Sequence, residues 1–151
     1  MDEIAFLRVL HVAGAVLLLG NVTVTGVWAA YLYRVRDRVP FRPVARAILW
    51  TDLIFTVGGG TLLTVSGILL ALRRGYAVSG TPWLAKGIGA LVLATLLWLV
   101  FLLPDQRRME RAGSGDDETL RRAFRRWSAV GWAATAVLYY GLWAMAGRGG
   151  A

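Results

Sequence analysis

Residues 9–33 read VLHVAGAVLLLGNVTVTGVWAAYLY, a run without one lysine, arginine, aspartate or glutamate. A helix needs about 20 apolar residues to cross ~30 Å of hydrocarbon, and this run exceeds that. Three more runs follow: Leu53 to Leu72, Trp83 to Leu103 and Trp127 to Gly147. None carries the continuous polar face that a water-soluble bundle of this size would require. The reading is therefore an all-α polytopic membrane protein, an antiparallel four-transmembrane-helix bundle forming a single domain over 1–151. Its helices are expected at about 4–33, 45–73, 83–103 and 117–147.

Working outward from these runs, the charges sit in the gaps. Hydrophobic residues make up 57% of the chain and charged ones 17%, with a mean hydropathy of +0.56, which leaves no room for a separate soluble domain. The net charge of +8 would suit nucleic acid, but the basic residues lie where membrane topology puts them, and no nucleic-acid partner is expected. The absence of cysteine excludes disulfides, thiol nucleophiles and Cys-ligated metal centres. Arginine is used almost to the exclusion of lysine, the habit of a GC-rich genome and so of a bacterium. Met1-Asp2-Glu3 lacks the cationic start of a signal peptide, so the first helix is expected to stay in the mature protein.

Twelve of the seventeen Lys and Arg residues fall in the first and third connections, from Arg34 to Arg46 and from Arg107 to Arg126. The positive-inside rule makes that side cytoplasmic. The expected location is the bacterial inner membrane, multi-pass, with both termini outside. Pro40 and Pro43 interrupt the first connection, placing the start of the second helix around Pro43 to Ala45. Gly113-Ser114-Gly115 is the flexible point of the third, and Asp116, Asp117 and Glu118 favour a helix start after it. Leu120, Ala123, Phe124 and Trp127 then repeat at helical spacing opposite four arginines, an arrangement expected to lie against anionic lipid.

Polar residues inside the spans carry the functional information, since an ionisable group at the bilayer centre costs about 2.5–3.5 kcal/mol on insertion scales. His11, Gly14, Leu18, Asn21, Thr25 and Trp28 share one stripe of the first helix. Asp52, Thr56, Gly59, Leu63 and Ser66 share one stripe of the second, and in an antiparallel neighbour Asp52 falls at the depth of Thr25. Two readings of Asp52 stand. It pairs with Arg46 or anchors Thr25, or else it carries a proton or binds a cation, with Asn21, Thr25 and Thr56 lining the path. Gly58-Gly59-Gly60 reads as a close-packing face.

A second cluster lies near the other end. His11 is the sole histidine, with Arg8 a turn before it and Arg73, Arg74 and Lys86 at similar height. Snorkelling to the interface accounts for the four cations. The alternative is an anionic ligand such as haem or another porphyrin, with His11 as the metal ligand, Met145 as a second axial ligand and the cations on the propionates.

Leu10 to Asn21, Thr51 to Thr56 and Leu103 to Arg108 together resemble the bacterial integral-membrane family catalogued as domain of unknown function 2269. The likeness spans nearly the whole chain and implies the same four-helix architecture. The histidine pattern of the first helix, at His11 and Gly20, is more distantly similar to the copper-resistance D proteins and to membrane protoporphyrinogen oxidase, which implies haem at His11.

No Gly-x-Ser-x-Gly elbow, His-Glu-x-x-His motif or phosphate loop occurs, so an enzymatic role is not expected. Three readings remain: a porphyrin-binding module at His11, a small proton- or ion-coupled transport unit centred on Asp52, and an accessory subunit of a larger membrane complex. Four short spans enclose little volume, so a transporter is expected to form a homodimer, for which Gly87, Ala90 and Ala94 offer a small-residue face.

Overall fold

The structure, a computed structural model, describes residues 2–113 and 115–147; Ser114, at the flexible point, lies outside them. The chain is an all-α integral membrane protein. Four helices are long and apolar enough to cross a membrane: α1 (Glu3–Arg34), α2 (Phe41–Arg74), α3 (Pro82–Ala112) and α4 (Asp117–Ala146). Each helix is stopped and started by local chemistry. Asp2 is extended and accepts the Ala5 N–H at 2.8 Å, satisfying one of the first-turn donors of α1. Asp116 does the same for α4 through the Thr119 N–H at 3.0 Å. Gly75, at φ +68°, ends α2 in the left-handed conformation that glycine adopts without strain, and Pro82 opens α3 where its missing N–H is not needed.

At 30 to 34 residues the helices are longer than a membrane requires. At 1.5 Å per residue they reach about 45–50 Å, some 15 Å beyond the hydrocarbon. Two helix ends differ from expectation for that reason. α2 begins at Phe41, with Pro43 taken into its first turn, and α3 continues through Pro104 to Ala112. A proline ring clashes with the carbonyl four residues back and removes its hydrogen bond. Here that carbonyl belongs to Val100, inside a wide π-turn at Trp98–Leu102, and the helix continues without a break.

The packing is unequal along the bundle. At the end carrying the arginine-rich connections all four helices meet around Phe41, Val44, Ile48, Leu102, Met109, Leu120, Phe124 and Trp127. Tyr33 stacks on Phe124 at 3.8 Å, and Phe41 stands edge-on to both rings. Asp105 is fully buried there, bound at both oxygens by Arg126 and at one by Arg108. Leu120, Ala123, Phe124 and Trp127 therefore cover this core, where the sequence pattern had suggested lipid.

Towards the opposite end the bundle separates into two pairs, α1 with α2 and α3 with α4, and the halves of α2 and α3 at that end barely touch. The α1–α2 pair closes on glycine: a Cβ on Gly14 would lie 2.5 Å from the Leu63 nitrogen, and one on Gly59 would lie 2.9 Å from Leu18 N. That close approach gives Gly59 the packing role expected of the Gly58–Gly60 run, whereas Gly58 and Gly60 have no neighbour a Cβ would meet. Gly87, Ala90 and Ala94 are likewise buried against α4 inside the chain, so they are not a free face for a second copy.

Candidate functional site

Asp52 opens the wide π-turn Asp52–Val57 of α2, just after Thr51, whose hydroxyl competes for the Ala47 and Ile48 carbonyls. The turn presents Asp52 and Thr56 together to the bundle interior, where Asp52 is 6% exposed. Its Oδ1 accepts from Asn21 Nδ2 of α1 at 2.8 Å and from Thr56 Oγ1 at 3.2 Å. Its Oδ2 accepts from Trp98 Nε1 at 3.3 Å and from Gln106 Nε2 at 2.5 Å, both on α3. Asn21 also donates to Thr56 at 2.9 Å, and Thr25 donates to Asn21 Oδ1 at 3.2 Å, which fixes the amide orientation. The carboxylate is thus held by four neutral donors from three helices.

Its expected pairing with arginine does not occur: Arg46 lies instead by Glu110, at 3.7 Å, and among the described residues no ion pair reaches Asp52. Two buried polar atoms beside the same region have no partner among the described residues, Gln106 Oε1 and Trp127 Nε1. Asp52, Trp98 and Trp127 line the base of a cavity of about 320 Å³ with walls from all four helices, including Leu18 and Val22 of α1, Thr64 of α2, Leu91 and Thr95 of α3 and Thr135 of α4.

Sequence spacing grouped Asn21, Thr25, Asp52 and Thr56, and the structure joins all four in one network. It did not find Gln106 as a partner, because the third helix was expected to end at Leu103, nor Trp98, whose indole among apolar neighbours carries no mark of a hydrogen-bond role. The signal was the spacing Trp98, Leu102, Gln106, Met109, which continues one helical face across the proline.

The residues of the second cluster are distributed differently. His11 Nδ1 lies 2.8 Å from the Leu63 carbonyl, and the imidazole packs against Gly67, so the histidine belongs to the α1–α2 contact. Met145 packs against Gly87 in the α3–α4 contact. The two candidate axial ligands therefore sit in different helix pairs. Arg73 pairs with Glu3 at 2.8 Å, while Arg8, Arg74 and Lys86 are exposed. Among the described residues no group of three or more histidine and acidic side chains stands together as a metal site.

A family model described as a predicted integral membrane protein (DUF2269) matches residues 5–148. No curated protein and no solved structure matches the chain. The likeness to the copper-resistance D proteins and to the oxidase is thus carried no further.

Proposed function

The chain belongs to the DUF2269 family of predicted integral membrane proteins, and from that premise we propose that it is a small transport unit whose working centre is Asp52. The observation that carries the reading is a carboxylate held between three helices by neutral donors alone, at the base of a cleft lined by the fourth as well. Asn21, Thr56, Trp98 and Gln106 satisfy its hydrogen bonds but bring no positive charge. Charge balance in a low-dielectric interior is then left to a proton or a small cation. Thr25 acts through Asn21 as a positioning residue.

In this reading the arginine-rich end faces the cytoplasm of a bacterial inner membrane, both termini lie outside, and Asp52 exchanges its proton through the cleft between the two helix pairs. The test is proton uptake by proteoliposomes under an imposed potassium diffusion potential, followed with an entrapped pH-sensitive dye. Wild-type protein is expected to carry a flux that Asp52→Asn lowers at least about tenfold, with unchanged helicity. Equal fluxes would overturn the reading.

A second reading is favoured by one contact. If Nδ1–H of His11 donates to the Leu63 carbonyl, the Nε2 lone pair is left for a haem iron. It requires a Soret band in the detergent-purified protein expressed with ample haem, shifted by dithionite and lost in His11→Ala.

A further inference from the structure

Three hydroxyl groups along the cleft are set the same way. Thr64 donates to the Gly60 carbonyl at 2.7 Å, Thr95 to the Leu91 carbonyl at 2.8 Å and Thr135 to the Gly131 carbonyl at 2.8 Å. Each hydroxyl proton is committed to its own helix, so each oxygen is left with lone pairs only. Below them stands the Asp52 carboxylate, while Gln106, whose Oε1 is unpartnered, is fully buried outside the cleft lining. The cleft therefore offers acceptors along its length and a negative charge at its base, with Trp127 Nε1 as the one buried unpartnered donor among the described residues of its wall. Apart from the hydroxyls of Thr25, Thr56, Thr61 and Ser128, the rest of the lining is apolar or indole, and the stretch of α2 from Asp52 to Thr64 spans about 18 Å.

Building on the Asp52-centred reading, the geometry points to an organic ammonium with an apolar body as the molecule this cleft takes. The positively charged nitrogen sits near Asp52, among the indoles of Trp98, Trp127 and Trp132, and the apolar body runs up the cleft past the threonines. A bare metal ion suits the site less well. Both Asp52 oxygens already accept two hydrogen bonds each, and the threonine oxygens are strung along the cleft where they cannot close a coordination shell. An anion would meet the Asp52 carboxylate at the base. A neutral hydrocarbon would leave the charge at the base unbalanced. Indole faces add cation–π attraction for an ammonium that none of these alternatives gains in the same degree.

The experiment is titration calorimetry of the protein in lipid nanodiscs with octylammonium and, separately, with octanol, each corrected for partition into empty nanodiscs. Octylammonium is expected to bind saturably at one site per chain, about tenfold more tightly than octanol. Asp52→Asn is expected to abolish that preference. Trp132→Leu removes a cleft indole that makes no hydrogen bond to Asp52 and is expected to weaken octylammonium about threefold while leaving octanol unchanged, which keeps the test decisive should Asp52→Asn fail to fold. Equal affinity for octanol, or heats no larger than those of empty nanodiscs, would overturn the proposal. A proton flux dependent on Asp52 without any ammonium preference removes this inference and leaves the transport reading in place. Ammonium binding that depends on Asp52 in a protein carrying no flux supports the inference and removes the transport reading instead.

Discussion

Gln106 is the residue on which the buried centre most depends. It is fully buried, it supplies the shortest contact to Asp52, and among the described residues Trp98, at 3.3 Å, is the one other donor to Oδ2. Gln106→Leu fills similar space and removes that donor, leaving a carboxylate oxygen short of a bond. The expected loss of stability is about 1–3 kcal/mol, read as a lower midpoint in detergent-mediated unfolding, together with a reduced flux. Asp52→Asn should behave differently, keeping the fold while losing the flux, because its oxygen still accepts from Asn21 and Thr56 and its NH2 can donate to the unpartnered Gln106 Oε1 once that amide turns over. At this scale half of the centre was legible in the sequence. Asn21, Thr25, Asp52 and Thr56 sit at helical spacing in apolar surroundings, where any polar residue stands out. Gln106 lies in Leu103-Pro104-Asp105-Gln106-Arg107-Arg108, where the charges that mark a loop also belong to a helix outside the hydrocarbon.

Among the elements, the π-turn at Trp98–Leu102 sets the register of α3. It places Trp98 and Gln106 on Asp52 and, one residue earlier, places Asp105 on Arg126. Pro104→Ala restores an N–H and removes the ring that the wide turn accommodates. The expected outcome is a helix of equal length with α3 rotated below the turn, so that flux falls several-fold while overall helicity is kept; circular dichroism beside the flux assay checks it. The N-terminus of α4 gives a pH-dependent element. Asp116 is held below the ordinary carboxylate range, first of all by its hydrogen bond with Thr119. A depressed folded value means the stabilisation is present above about pH 4 and fades as pH falls through the folded value. The stability advantage of the wild type over Asp116→Ala should therefore be seen at pH 7 and vanish on acidification below about 4. Helix existence was plain from hydropathy, but helix ends were not, because capping and proline signals give only permission to stop. The packing of Leu120, Phe124 and Trp127 under the connections decided otherwise.

For the molecule as a whole, the contrast between a packed end and a divided end governs where it opens. Ile48, Met109, Asp105 and Gln106 are buried at the first, whereas Val57, Thr61, Thr64 and Val65 of α2 are exposed towards the second. Hydrogen exchange in nanodiscs should show amides of 41–51 protected at least about tenfold longer than those of 60–74, since few packed contacts hold the divided-end half of α2 against α3. Uniform protection along α2 would contradict the picture of two pairs joined at one end. The four-helix architecture was readable from the apolar runs alone. Their uneven packing was not, since lipid-facing and cleft-facing residues are equally apolar, and only the long-range contacts separate them.

The four donors to Asp52 also arrive at different times. Asn21 and Thr56 belong to the hairpin that is synthesised first, while Trp98 and Gln106 come from a helix made later. A nascent chain that has inserted only α1 and α2 presents a half-solvated carboxylate to the lipid until α3 docks. The same residue that serves the finished protein thereby marks an unfinished one, and membrane quality control has a ready signal by which to tell orphaned hairpins from assembled bundles.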